Sequence, residues 1–176
     1  MLIIKSFLKK PHKDIYNLEE MSTHPYDFFI DIDDSATIKN LLTQFDEAYL
    51  EGALIIKYNE RTILDFTYYD LIDQLLMYFL NMLNDLQAKD ASRCGFPDMP
   101  IEIKIKRINK IIFHLSFEGS EIVEFKVPEY EFVRALLDEA HHFFTVVQPA
   151  LHFPASHYQF ALGQIKNLRK IYDHDA

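Results

Sequence analysis

Between Tyr68 and Leu86 the polar residues Asp70, Asp73, Gln74, Asn81, Asn84 and Asp85 fall on one narrow helical stripe, and nearly everything else is apolar. A helix with most of its circumference apolar cannot lie on a surface with one side wet; it must be covered from several directions. The rest of the chain has to supply that cover, so this helix is predicted to be the centre of the core. Its longest strongly apolar run, Leu75–Leu80, stops at Asn81. That is far short of the roughly 20 residues a membrane span needs.

Strand signals lie on both sides. Ile101–Lys106 alternates Ile101, Ile103 and Ile105 with Glu102, Lys104 and Lys106, the period of a half-buried strand. Ile111–Phe117 follows the Ile108-Asn109-Lys110 connection, and Ile122–Val127 follows Glu118-Gly119-Ser120, which predicts an antiparallel meander. Ala53–Tyr58 and Thr62–Phe66 form a second pair, and Asp27–Asp33 alternates Phe28, Ile30 and Ile32 against Phe29, Asp31 and Asp33. Further helices are predicted over Ala36–Glu47, capped by Asp34 or Ser35, over Glu129–Val147, and over Ser156–Tyr172 after Pro149 and Pro154. Strands and helices are segregated, so the expected class is α+β. The expectation is one domain over residues 1–176, with an antiparallel sheet of about five to six strands packed on the long helix and further helices. Helix 156–172 is either part of that domain or appended to it. At 176 residues folding buries about 70% of the unfolded surface, enough for a core without staples.

Charge is distributed unevenly. The chain carries −9, and residues 14–60 hold eleven acids against Lys39 and Lys57, a local −9. Residues 1–13 add +4, and residues 61–176 add −4. Interleaved in the acidic stretch are Tyr16, Tyr26, Phe28, Phe29, Phe45, Tyr49 and Tyr58. Carboxylates that steer and aromatic rings that anchor suit a cationic protein partner. The candidate contact residues are Asp31, Asp33, Asp34, Asp46, Glu47 and Glu51, with Tyr26 and Tyr49 as anchors. The same charge disfavours nucleic acid and anionic membranes, which need phosphates neutralised by Lys and Arg. Met1–Leu8 is apolar but interrupted by Lys5 and lacks a signal-peptide pattern. One cysteine, Cys94, excludes an internal disulfide. A cytoplasmic location is the expectation.

Motifs for chemistry are sparse. Asp31-Ile32-Asp33-Asp34 offers oxygens to a hard cation, but the Gly and distal Glu of an EF-hand loop are missing, so a strand edge followed by a helix cap is the reading. His141 and His142 are adjacent, and neighbouring helical side chains diverge by about 100°. His152 and His157 lie beyond them, and their closeness in space cannot be read from sequence. Cys94, next to Arg93, lacks a nucleophile signature, and the four glycines build no phosphate loop or dinucleotide fingerprint. No metal or cofactor is expected, and the balance leans against an enzyme without deciding it.

Gly52–Tyr58 through Ile63-Leu64-Asp65, the Leu-rich helix, Phe96-Pro97-Asp98-Met99-Pro100, and the helix with Glu131-Phe132 and Phe143-Phe144 resemble small bacterial immunity proteins of polymorphic toxin systems. The resemblance covers residues 50–147 and brings no catalytic residues. It implies a protein that neutralises a cognate toxin inside the producing cell, and acidic members mask basic nucleases. The expected function is therefore a non-enzymatic acidic inhibitor of a basic partner such as a toxin. One alternative is a small metal-binding protein or metal-dependent enzyme using His141, His142, His152 and His157. The other is a structural module that forms homo-oligomers through its last helix.

Overall fold

The computed structural model describes residues 1–174. In chain order the elements are β1 (Leu2–Lys9), α1 (Leu18–Thr23), β2 (Phe29–Asp31), α2 (Ser35–Leu41), β3 (Glu51–Tyr58), β4 (Arg61–Leu64), β5 (Tyr69–Leu71), α3 (Ile72–Asp85), β6 (Ala91–Gly95), β7 (Glu102–Asn109), β8 (Ile112–Glu118), β9 (Ile122–Pro128), α4 (Glu129–Ala150) and α5 (Gln159–His174). The class is α+β, and the strands divide between two antiparallel sheets instead of forming one. The first has the order β2-β1-β3-β4, with β5 also pairing β3; the second is β6-β7-β8-β9.

The near-uniformly apolar helix occupies the position its pattern demands. In α3, Ile72, Leu76, Phe79, Leu80 and Leu83 have no exposed surface, and Leu75 is 1% exposed. It packs against β3 and β5 of one sheet, β6 of the other, and both long C-terminal helices. Each such side chain contributes about 1.5–3 kcal/mol by leaving water. The helix begins at Ile72 and not at Tyr68, because Tyr69–Leu71 pairs with Glu51–Ala53 of β3. Helix α5 places Ala161, Ile165, Leu168 and Tyr172 in the same core, with Tyr158 just before it, so its apolar stripe is buried within its own chain.

The first sheet carries buried side chains on both faces. Leu2, Ile4, Leu8, Leu54 and Ile56 face the main core. On the other face Phe7, Phe29, Ala53 and Ile55 pack with Met21 of α1 and with Phe28, forming a smaller second cluster. Phe66 bridges it, with ring centroids 4.9 Å from both Phe7 and Phe29. This two-sided burial explains why Phe28, Phe29, Ile30 and Ile32 are all inside although only Phe29–Asp31 forms a strand. At Gly52, β1 and α3 approach the backbone so closely that a Cβ would collide with the Phe7 carbonyl oxygen and lie 2.8 Å from Ile72 Cγ2.

Helix α4 runs along the part of β1 that β2 leaves unpaired. Glu131 accepts the Leu2 N–H at 2.7 Å, and Glu139 accepts the Ser6 N–H at 2.7 Å. Eight helical residues rise about 12 Å and four strand residues about 13 Å, so the two carboxylates match alternate edge amides.

Candidate functional site

The acidic stretch is laid out by four local devices. Asp31 closes β2, where it stands opposite Phe7, and Lys5 two residues away on β1 reaches Asp31 Oδ2 at 2.5 Å. Asp34 caps α2 by accepting the Thr37 N–H at 3.1 Å and its hydroxyl at 2.6 Å, and these bonds hold the Asp34 carboxyl below its ordinary value. The predicted helix over 36–47 is shorter: α2 ends at Leu41, a 3-10 turn spans Leu42–Gln44, and Phe45 turns extended (φ −74°, ψ 140°) to pack on the core. Asp46 then accepts the Ala48 N–H at 2.9 Å and closes the turn into β3. Glu51 opens β3 and takes Lys9 Nζ at 2.7 Å.

Two of the predicted contact carboxylates, Asp31 and Glu51, are thus occupied by lysines of β1. Asp33 and Glu47 face histidines instead: Asp33 Oδ1 lies 2.8 Å from His142 Nε2, and Glu47 Oε1 lies 3.0 Å from His157 Nδ1. Among the described residues Asp34 and Asp46 face no cation in an ion pair. Tyr26 is 65% exposed, with its ring 6.2 Å from Phe7 and 6.3 Å from Phe66. Tyr49 is 50% exposed and separates two depressions. One, of about 200 Å³, holds Asp46 and Glu51 with Lys9, Lys10 and His12. The other, of about 380 Å³, holds Glu51, Asp70 and Asp98 with Leu18, Tyr69 and Met99.

Sequence reasoning did not find Asp70 and Asp98. Asp70 is 4% exposed and accepts the N–H groups of Leu71 (2.7 Å), Asp98 (3.0 Å) and Met99 (2.9 Å). It anchors the Phe96–Pro100 loop, and Asp98 on that loop accepts the Tyr49 hydroxyl. That hydrogen bond, with the negative charge of Asp98, pushes the Tyr49 phenol up to about 12. Asp70 lay inside a helical pattern and gave no cue.

The histidines are not gathered into a centre. His142 and His157 take different carboxylates, and among the described residues no group of three His, Cys, Asp or Glu side chains is placed to hold a metal ion. Cys94 is half-buried, its Sγ lies 3.2 Å from Met82 Sδ, and burial pushes its thiol up to about 11. At neutral pH it is a protonated thiol. No helix is long and apolar enough to cross a membrane among the described residues. No family model, curated protein or solved structure matches the chain.

Proposed function

We propose that the chain is a non-enzymatic binding protein of the immunity type, which docks a basic protein partner such as a toxin on the band from Asp31 to Glu51. The observation that carries this reading is Tyr49: a half-exposed ring held by Asp98 and flanked by Asp46 and Glu51. Asp33, Asp34, Asp46 and Glu47 steer the cationic surface, because no lysine or arginine of the described chain is paired with them. Asp31 and Glu51 contribute less steering, since Lys5 and Lys9 already neutralise them. Inhibition is steric once the partner is seated.

The test is stopped-flow association with a purified basic toxin domain. Charge reversal at Asp33/Asp34 or Asp46/Glu47 is expected to slow association roughly tenfold at low salt. Near 1 M salt the screening length is about 3 Å, and the effect shrinks to about twofold or less. Association rates that ignore both salt and these substitutions would overturn the reading.

A further inference from the structure

The two sheets protect their edges to different degrees. The free part of β1 is covered by Glu131 and Glu139 of α4. β9 carries Glu124 and Lys126 at its outward positions, and Arg61 donates to the Glu124 carbonyl at 3.3 Å. β2 and β5 are three residues long, and the pairing of β4 is interrupted between Ile56 and Lys57. These are the ordinary means of preventing edge pairing. β6 is the least protected: it is five residues long, its register with β7 runs without a shift, and its one charged side chain is Arg93.

The register of β6 says which groups are free. Phe96 N–H donates to the Ile101 carbonyl at 2.8 Å and Arg107 N–H to the Asp90 carbonyl at 2.7 Å. Even-numbered residues therefore bond to β7, and the N–H and C=O groups of Ala91, Arg93 and Gly95 point away from it. β7 is the one strand paired with β6, and among the described residues no turn or side-chain hydrogen bond reaches these outward groups.

Beside this edge runs a groove of about 400 Å³ between β6 and α3. Asp85 accepts the Ser92 hydroxyl at 3.0 Å, and Cys94 meets Met82 at 3.2 Å, so strand and helix run antiparallel with the groove between them. Met82 (2% exposed), Phe96 (6% exposed) and Tyr78 give it an apolar floor, and Asn81 and Asp85 line its α3 side. A strand added to β6 would direct alternate side chains onto that floor and the others to the solvent face of the sheet.

Charge selects the occupant. On the solvent face the rows nearest the edge pair Ala91 with Lys106, Arg93 with Lys104 and Gly95 with Glu102. Lys104 is held by Glu102 at 2.9 Å and Glu118 at 2.6 Å, whereas the Arg93 side chain is 76% exposed and 3.7 Å from Glu102. A second copy of β6 centred on this strand would set Arg93 against its twin, which like-charge repulsion opposes. We propose that the outer edge of β6 is a strand-addition site for an extended segment of another protein, apolar toward α3 and acidic toward Arg93. This site is separate from the acidic band and has the opposite charge preference.

The test uses a fluorescein-labelled Glu-Val-Glu-Val-Glu-Val peptide and its Lys-Val counterpart, read by anisotropy with the full chain. The Glu-Val probe is expected to bind saturably and roughly tenfold more tightly than the Lys-Val probe. Arg93→Glu should weaken it by about tenfold. Ala91→Pro removes one outward N–H while sparing the β7 bonds, and should weaken it by about fivefold. Both variants must melt within a few degrees of wild type by circular dichroism; if Ala91→Pro does not, Arg93→Glu carries the comparison. Amide exchange of Arg93 and Gly95 should slow on binding, with Cys94 unchanged. No saturable binding up to about 1 mM, equal binding of both probes, or unchanged exchange at Arg93 and Gly95 would overturn the proposal. So would a dimer in sedimentation that Ala91→Pro abolishes, because the edge would then belong to a second copy.

Discussion

Replacing Asp70 should unfasten the Phe96–Pro100 loop and lower stability measurably. The carboxylate is 4% exposed and receives two backbone N–H groups from that loop, Asp98 at 3.0 Å and Met99 at 2.9 Å. Hydrogen bonds to a charged acceptor contribute about 1.5–3 kcal/mol each. Asp98 is exposed, so its amide recovers water after truncation, and the expected cost of Asp70→Ala is near the lower end, about 2–4 kcal/mol. For a domain of this size that is a fall in Tm of roughly 4–16 °C. Asp70→Asn keeps one oxygen but turns an amide toward donors, and should cost about half as much. The chain has no tryptophan, so equilibrium urea unfolding is best followed by far-ultraviolet circular dichroism. A cost for Asp70→Ala below about 0.5 kcal/mol, within the range of ordinary surface substitutions, would refute the role assigned to this carboxylate. So would an Asn variant less stable than the Ala variant.

Four further outcomes follow from the helix and strand geometry. Burial raises the Glu139 carboxyl above its ordinary value, against the opposing pull of the Ser6 N–H, His142 and Lys5. Its contribution to stability is therefore full below the unfolded value near 4.5 and is lost as pH rises through the folded value. Glu139→Gln, which keeps the acceptor, should be more stable than wild type at pH 7 and lose that advantage below about pH 4.5. Glu139→Ala should cost about 1–3 kcal/mol by leaving the Ser6 N–H unpaired. Urea midpoints across pH check both, and a Gln variant less stable than wild type at pH 7 would count against the buried-charge argument. Gly52→Ala should destabilise by about 1–3 kcal/mol or more, since its Cβ meets the Phe7 carbonyl and Ile72. Gly163→Ala, with nothing within 4 Å on α5, should stabilise by about 0.5–1 kcal/mol. Thermal melts of the two distinguish them by sign.

The elements with a clean period were readable. The meander of β7, β8 and β9 and the long helices α3, α4 and α5 lie within a few residues of their patterns. Where both faces of an element are covered, periodicity vanished: Lys5, Phe7 and Lys9 share one face of β1, but Phe7 is buried in the second cluster, so the strand reads as an interrupted apolar run. β6, with Ala91, Ser92 and Gly95, has little intrinsic strand preference and exists because β7 pairs with it and α3 covers one face. β5 was hidden inside a helical pattern, since only its pairing with β3 makes Tyr69–Leu71 extended.

Charge density was equally readable, and charge pairing was not. Net charge along the chain cannot say that Lys5 and Lys9 stand over Asp31 and Glu51, because that depends on the β1–β2 and β1–β3 registers. For the proposed docking, the consequence is that side chains of the band are already held by the chain itself. Asp34 is fixed by Thr37, Asp46 by the turn at Ala48, and Tyr49 by Asp98, which Asp70 holds in turn. Ordering a long side chain at an interface costs about 0.5–1.5 kcal/mol. A ring already hydrogen-bonded and carboxylates already capped avoid much of that cost, so affinity at this band would be lost through Asp70 as well as through the residues a partner touches. Asp70→Asn should therefore raise the dissociation rate of a bound basic partner while leaving the salt dependence of association unchanged, a separation that pure surface electrostatics does not produce.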